Sequence, residues 1–289
     1  RTGRESVPLP APRRGGRRVY VVGGGPGGLQ AAVTAAGRGH RVTLFERSGR
    51  TGGQVAVAAR VPARAEFGDL VRNLAAEAAR RGVAVHTRFE VSAAFLRAEA
   101  PDAVVLATGA RPARPWWSGG HPRVVDVREA IDGTAGAAGS VIVVDELGFH
   151  QATSAAELLA DQGCLVEVIT NGMVVGQDLG VTLDLETWNV KAHAKGIRQR
   201  TDVVVLGCRE EDGRLVLSVQ HHPTGTALEL VCDWAACAVP AQPEDALWQE
   251  LRDGAGGGAP FELHRVGDCL APRRAHAAVI EGERVGAAL

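Results

Sequence analysis

Short apolar runs alternate with glycine turns and helical stretches along this chain. Residues 18–22 (Arg-Val-Tyr-Val-Val) are nearly all apolar and predict a short buried strand. A glycine turn follows, then a helix over 27–38, and residues 41–46 (Arg-Val-Thr-Leu-Phe-Glu) predict the next strand. That is a strand–helix–strand unit, the building block of a parallel sheet. Phe67, Leu70, Val71 and Leu74 recur at spacings of three and four, so 66–81 is a helix. Strands are predicted at 83–86 and at 102–107, the latter running into Thr108-Gly109. The pattern then repeats about 120 residues on, with a strand at 141–144, a helix at 150–162 and a strand at 165–170. Residues 201–207, 214–220 and 227–231 predict a small antiparallel meander. A short strand and turn at 264–268 and a helix from about 273 to the end close the chain. Residues 1–17, rich in Arg, Pro and Gly without apolar period, read as a linker. Two such units closed by a C-terminal strand and helix imply one split domain, 18–137 with 251–289, and a second domain over 138–250 inserted in it.

Composition narrows the function classes. With 32 basic and 33 acidic residues among 289, the net charge is −1. No basic patch is interleaved with aromatics, so nucleic acid is not an expected partner. No apolar run approaches the roughly 18 residues of a membrane helix, and no signal peptide opens the chain. Lysine occurs only at Lys191 and Lys195 against thirty arginines, which with the abundant Ala and Gly is the codon bias of a high-GC genome. The five cysteines are scattered, odd in number and free of any C-x-x-C, so they read as reduced cytoplasmic thiols. No metal-ligating set is evident. His121, His221 and His222 lie in loops without ligand spacing, and His276 reads as a surface residue.

The chemistry concentrates at Gly23-Gly24-Gly25-Pro26-Gly27-Gly28, which fits G-x-G-x-x-G at 23, 25 and 28. Gly23 permits the tight turn, Gly25 lets backbone approach a pyrophosphate, and Gly28 lets helix and strand pack closely. The helix that follows offers free N–H groups and a positive dipole end to phosphates. Glu46, 23 residues after Gly23, ends the next strand, where it can accept hydrogen bonds from adenosine ribose hydroxyls. The fold class is therefore α/β, with two Rossmann-like dinucleotide-binding domains, the second inserted in the first.

Three further segments carry a resemblance. Arg50-Thr-Gly-Gly-Gln54, Leu106-Ala-Thr-Gly-Ala110 and Val266-Gly-Asp268 resemble the stations of flavoproteins with two dinucleotide-binding domains. In that family the Gly-Asp aspartate binds the flavin ribityl–pyrophosphate stretch and the following helix aims its N-terminus at the flavin ring. The resemblance thus implies FAD held by Gly23, Gly25, Pro26, Gly27, Gly28, Glu46, Arg47, Gly53, Gln54, Thr108, Gly109 and Asp268. Phe45–Gln54, Ala65–Leu70 and Pro101–Pro112 resemble, more narrowly, the C-terminal half of the old-yellow-enzyme-like family of NADH:flavin oxidoreductases. That family includes 2,4-dienoyl-CoA reductase and trimethylamine dehydrogenase. The branch resembled is the reductase type associated with mycofactocin clusters.

The resemblance implies an FAD-dependent oxidoreductase module that passes reducing equivalents between a nicotinamide cofactor and other redox centres. Family members carry an N-terminal barrel with FMN and a four-cysteine 4Fe-4S segment, which would be the partner of this module and the place where a small organic substrate reacts. Neither motif occurs here, so the chain reads as the C-terminal module alone. A non-catalytic module holding ADP is the alternative, as trimethylamine dehydrogenase allows; a glutathione-type disulfide reductase is disfavoured by the missing cysteine pair. No side chain stands out as acid, base or nucleophile, and a homo-oligomer is left open. In the repeated unit Asp145, Leu147 and His150 fall where Gly23, Gly25 and Gly28 sit, with Gly148 one place off register, so the inserted domain reads as degenerate for NAD(P)H. Trp116 and Trp117 are read as covering a core edge rather than stacking on a ring.

Overall fold

A computed structural model describes residues 15–253 and 259–289. The linker expected over 1–17 lies outside them up to residue 14, and the glycine loop at 254–258 lies outside them altogether.

The elements run β1 (Arg18–Val22), α1 (Pro26–Gly37), β2 (Arg41–Glu46), α2 (Gly53–Ala58), α3 (Phe67–Arg80), β3 (Ala84–Thr87), α4 (Ala93–Glu99), β4 (Ala103–Leu106) and the two-residue β5 (Ala110–Arg111). There follow β6 (Val124–Asp126), α5 (Val127–Asp132), β7 (Ser140–Asp145), α6 (His150–Asp161), β8 (Leu165–Thr170), α7 (Leu185–Ala194), β9 (Arg198–Arg200), β10 (Val203–Glu211), β11 (Arg214–His221), β12 (Thr226–Cys232) and β13 (Trp234–Ala238). The chain closes with β14 (Gln242–Pro243), α8 (Ala246–Asp253), β15 (Glu262–Arg265) and α9 (Ala275–Ala288).

Packing divides the chain into two compact units. The first comprises the described residues up to Ala56, Glu66–Arg111 and Gln242–Leu289; the second comprises Val57–Ala65 and Pro112–Ala241. The sequence placed the inserted part at 138–250. The unit starts earlier because β6 pairs in parallel with β13, Val124 opposite Ala235, and Val127 and Ala130 of α5 join its core; it ends earlier because β14 pairs with β5, Gln242 opposite Arg111, and Leu251 of α8 joins the core of the first unit. An Asp126–Glu129 capping box starts α5, reciprocally satisfying backbone N–H groups at the helix start.

The first unit is built on a five-stranded sheet in the order β15-β4-β1-β2-β3, every neighbouring pair parallel. Val19 and Val21 of β1 and Leu44 of β2 are fully buried on the face that α1 covers. Tyr20, Val22 and Phe45 point to the opposite face, where they pack with Leu96, Leu106 and Leu251. This two-sided burial is why the strands read as continuous apolar runs. Helix α1 also packs on α9, and the contact is close because it is lined by glycines. A Cβ on Gly282 would collide with the carbonyl oxygen of Gly27, and one on Gly286 would sit 2.7 Å from the carbonyl oxygen of Ala31.

The second unit has its own parallel sheet, in the order β6-β13-β7-β8-β9, and the predicted meander, β10-β11-β12, antiparallel throughout. Trp117 is buried in a core with Ile142, Val205 and Leu217, whereas Trp116 is 79% exposed, so only the second tryptophan covers a core. All five cysteines are free.

Candidate functional site

In the first sheet β1 lies between β4 and β2, and connections leave its neighbours in opposite directions. The carboxyl ends of β1 and β4 therefore form a topological switch point, where open α/β sheets bind ligands. The glycine turn of 23–28 sits there. Gly23 has φ +110°, and a Cβ on it would strike the carbonyl oxygen of Ala107 at the end of β4. A Cβ on Gly28 would strike the carbonyl oxygen of Gly23, so this glycine lets α1 close on its own strand. Pro26 is the first residue of α1, with Gly25 as N-cap; Pro fits there because its missing N–H is not needed.

Gly25 differs from these two. Its backbone is extended (φ −74°, ψ −179°), a conformation open to any residue, and a Cβ on it would meet nothing within 4 Å. The fold makes no demand for glycine at this position. The open space lies in front of the α1 N-terminus, where unpaired N–H groups and the helix dipole favour an anion.

Glu46 is tied to the same turn. Its Oε2 accepts the Gly24 N–H at 2.7 Å and its Oε1 accepts the Ser48 N–H at 2.8 Å. Each carboxylate oxygen keeps a further acceptor site. The segment after β2 folds back over the turn: Gly52 donates its N–H to the Gly24 carbonyl at 2.8 Å, and a Cβ on Gly53 would lie 3.3 Å from the Gly25 Cα. Gln54 reaches Asp268, its Nε2 donating to Oδ2 at 2.9 Å, while the Arg273 N–H donates to Oδ1 at 3.1 Å. Asp268 thereby organises both the segment after β2 and the approach to α9. The Thr108 hydroxyl donates to the Glu244 carbonyl, and the Glu244 N–H donates to the Gly109 carbonyl at 2.9 Å. Arg47 is exposed, and among the described residues no hydrogen bond shown ties it to the other site residues.

Two supporting groups escaped the sequence reading. Glu281 on α9 accepts the Gly267 N–H at 2.8 Å through Oε2 and pairs with Arg273 through Oε1, fixing the Gly267-Asp268 turn from a residue 14 positions away. Cys269 is buried, with its Sγ 3.1 Å from the Leu106 carbonyl oxygen, and burial pushes its thiol above the ordinary range. No local pattern announces Glu281. The local signal nearest to it is the pair Gly282 and Gly286, spaced by four on one helix face that packs closely on α1.

The turn of the second unit does not follow the predicted register. Val22 pairs with Phe45 and Val144 with Ile169, which makes these strands equivalent. Yet α1 starts at Pro26, four positions after Val22, and α6 starts at His150, six positions after Val144. The second turn is two residues longer, so His150 occupies the place of Pro26 rather than Gly28.

Residues 17–250 match the pyridine nucleotide-disulphide oxidoreductase family, and the chain belongs to that family, whose members bind FAD and NAD(P). It is 32% identical to the N,N-dimethylglycine/sarcosine dehydrogenase of Chromohalobacter salexigens, over 98% of this chain and 46% of that protein. It is 29% identical to a multifunctional alkene reductase/demethylase of Caballeronia cordobensis, over 94% of this chain and 44% of that one. The solved structure of a 2-naphthoyl-CoA reductase in complex with 2-naphthoyl-CoA superposes with a TM-score of 0.86 at 26% identity, covering 96% of this chain and 41% of that one. The chain thus spans less than half the length of these relatives. As the resemblance implied, the chain corresponds to the C-terminal part of old-yellow-enzyme-like and 2,4-dienoyl-CoA reductase-type enzymes, and its fold is that of an FAD-dependent oxidoreductase module. Among the described residues no helix is long and apolar enough to cross a membrane.

Proposed function

We propose that the first unit holds FAD and that the chain serves as the module of a larger oxidoreductase that exchanges reducing equivalents between a nicotinamide cofactor and other redox centres. The observation that carries this reading is Gly25, a glycine that neither backbone conformation nor packing requires, facing open space at the start of α1. A pyrophosphate is the occupant that would require it. Around that point the residues fit the rest of the group. The Glu46 carboxylate has acceptor capacity left for ribose hydroxyls, and Asp268 is held by Gln54 and Arg273 where the ribityl stretch would pass. With FAD bound, the N-terminus of α9 would offer its dipole to the flavin, favouring negative charge there. Bound FAD would supply the redox chemistry itself; this chain's residues bind and orient it.

The remainder of the reading comes from the relatives. They are named as dehydrogenases and reductases and are more than twice as long as the matched part. We therefore assign the partner as an N-terminal barrel carrying FMN and a 4Fe-4S cluster, with the small organic substrate reacting there. A cytoplasmic location goes with this assignment and is supported by the five free thiols.

The test is the visible spectrum of the purified chain after incubation with FAD and removal of excess. Flavin absorption retained by the protein, and released as FAD on denaturation, is the expected result. A protein that stays colourless yet binds ADP is the non-catalytic alternative and would sink the FAD assignment.

A further inference from the structure

The family binds NAD(P), and the second unit is where its fold repeats, so the residues at that turn can be asked whether they fit a nicotinamide nucleotide. They do not. Strand β7 ends at Asp145, which is fully buried. Its Oδ1 accepts the backbone N–H groups of Gly148 at 2.8 Å and Leu147 at 3.2 Å, and its Oδ2 accepts the N–H of Gly176 at 3.0 Å. Its carbonyl oxygen accepts the Thr170 hydroxyl at 2.8 Å, fixing the residue against β8. Three backbone N–H groups converging on one anion is the arrangement a dinucleotide turn offers to phosphate. Here the acceptor is a carboxyl side chain of the protein; burial pushes it above the ordinary aspartate range, and the three N–H groups pull it back toward the charged form.

The surroundings agree. The two extra residues of this turn bring Leu147 and Phe149 against the core of the unit, where Gly25 leaves open space in the first. Gly148 has the left-handed φ of +61°, but its N–H is bound to Asp145 and its carbonyl oxygen accepts the Asp178 N–H at 2.8 Å. It therefore cannot stand in for the lost glycines. Glu146 adds a second, partly exposed acid whose carboxyl is pushed above its ordinary range by burial and then by Asp145.

We propose that the Asp145 carboxylate occupies the anion position of the second unit's turn and shuts the pyrophosphate of NADH or NADPH out of it. A nicotinamide nucleotide that serves this protein docks elsewhere. The inference does not rest on the FAD reading: it concerns another turn, and its test reads another ligand.

The test is calorimetric titration of the full chain with NADH and with NADPH, on wild type and on Gly25→Val, which disables the first turn without touching the second. Wild type is expected to show no saturable binding tighter than about 1 mM. Saturable binding that Gly25→Val abolishes is binding at the first unit and leaves the proposal standing. Micromolar binding that survives in Gly25→Val overturns it. Asp145→Gly then addresses the carboxylate itself. In a variant with an unchanged circular dichroism spectrum, affinity for NADH is expected to rise at least tenfold over wild type, and a folded variant with no gain overturns the role given to Asp145. Should that variant fail to fold, the wild-type titration remains decisive.

Discussion

The Gly24 N–H donates to Glu46 Oε2 at 2.7 Å, joining the turn after β1 to the acid that ends β2. One carboxylate thus shapes the glycine turn and presents acceptors beside it. Glu46→Ala is expected to weaken ADP and FAD binding roughly tenfold or more, since loss of a hydrogen bond to a charged group amounts to about 1.5–3 kcal/mol. Glu46→Gln, which keeps an acceptor for Gly24 but not the charge, should fall between. Titration of all three proteins with ADP and FAD reads the effect; unchanged dissociation constants would remove Glu46 from the site.

Gly25→Val separates binding from folding. The backbone at Gly25 is extended and its Cβ direction is open, so the unfolding free energy should change by no more than about 1 kcal/mol, a weaker N-cap being the main cost. Nucleotide binding should be lost, because the branched side chain fills the open space. A variant that still copurifies with ligand places the phosphate site elsewhere.

Gly282→Val makes the opposite prediction. Its Cβ would collide with the Gly27 carbonyl oxygen on α1 and come within 3.0 Å of the Ala31 nitrogen. Backbone cannot give way as a flexible side chain does, so the variant should lose about 1–3 kcal/mol by urea denaturation. Nucleotide affinity should fall with it, because α9 also carries Glu281, which fixes the Gly267-Asp268 turn. Wild-type stability would show that the two helices do not pack as closely as described.

Asp233 links stability to pH. Its carboxyl is held below the ordinary aspartate range, chiefly by the Ser140 backbone N–H at 2.7 Å and hydroxyl at 2.8 Å, with Arg214 adding attraction. The folded pKa lies below the unfolded value of roughly 3.9, so the contribution is present above that pH and disappears as pH falls through the lowered value. The melting temperature of Asp233→Asn should lie below that of wild type at neutral pH, and the two should converge in acid. A difference that stays constant into acid would show that the charge contributes nothing.

What could be read in the chain alone was whatever is encoded locally. The apolar runs of β1, β2 and β8 fall on the predicted residues because strands buried on both faces have no other signature. The glycine turn, the acid at Glu46 and the family resemblance were likewise legible, since each is a short string at fixed spacing. Strand β13 was not. Trp-Ala-Ala-Cys-Ala lacks alternation and β-branched residues, and it is a strand because β6 and β7 flank it, partners separated from it by roughly a hundred residues. With β13 went β6, and with β6 the point at which the second compact unit starts. The fingerprint itself was only half legible. Sequence shows three equivalent glycines, but the close approach of Ala107 and of the Gly23 carbonyl decides that Gly23 and Gly28 are required by packing and that Gly25 is not. It shows an aspartate where Gly23 has its counterpart, read as a charge that repels phosphate. Tertiary structure turns that side chain inward onto three backbone N–H groups, one of them from Gly176, 31 residues on, and so gives those buried N–H groups the acceptor they need.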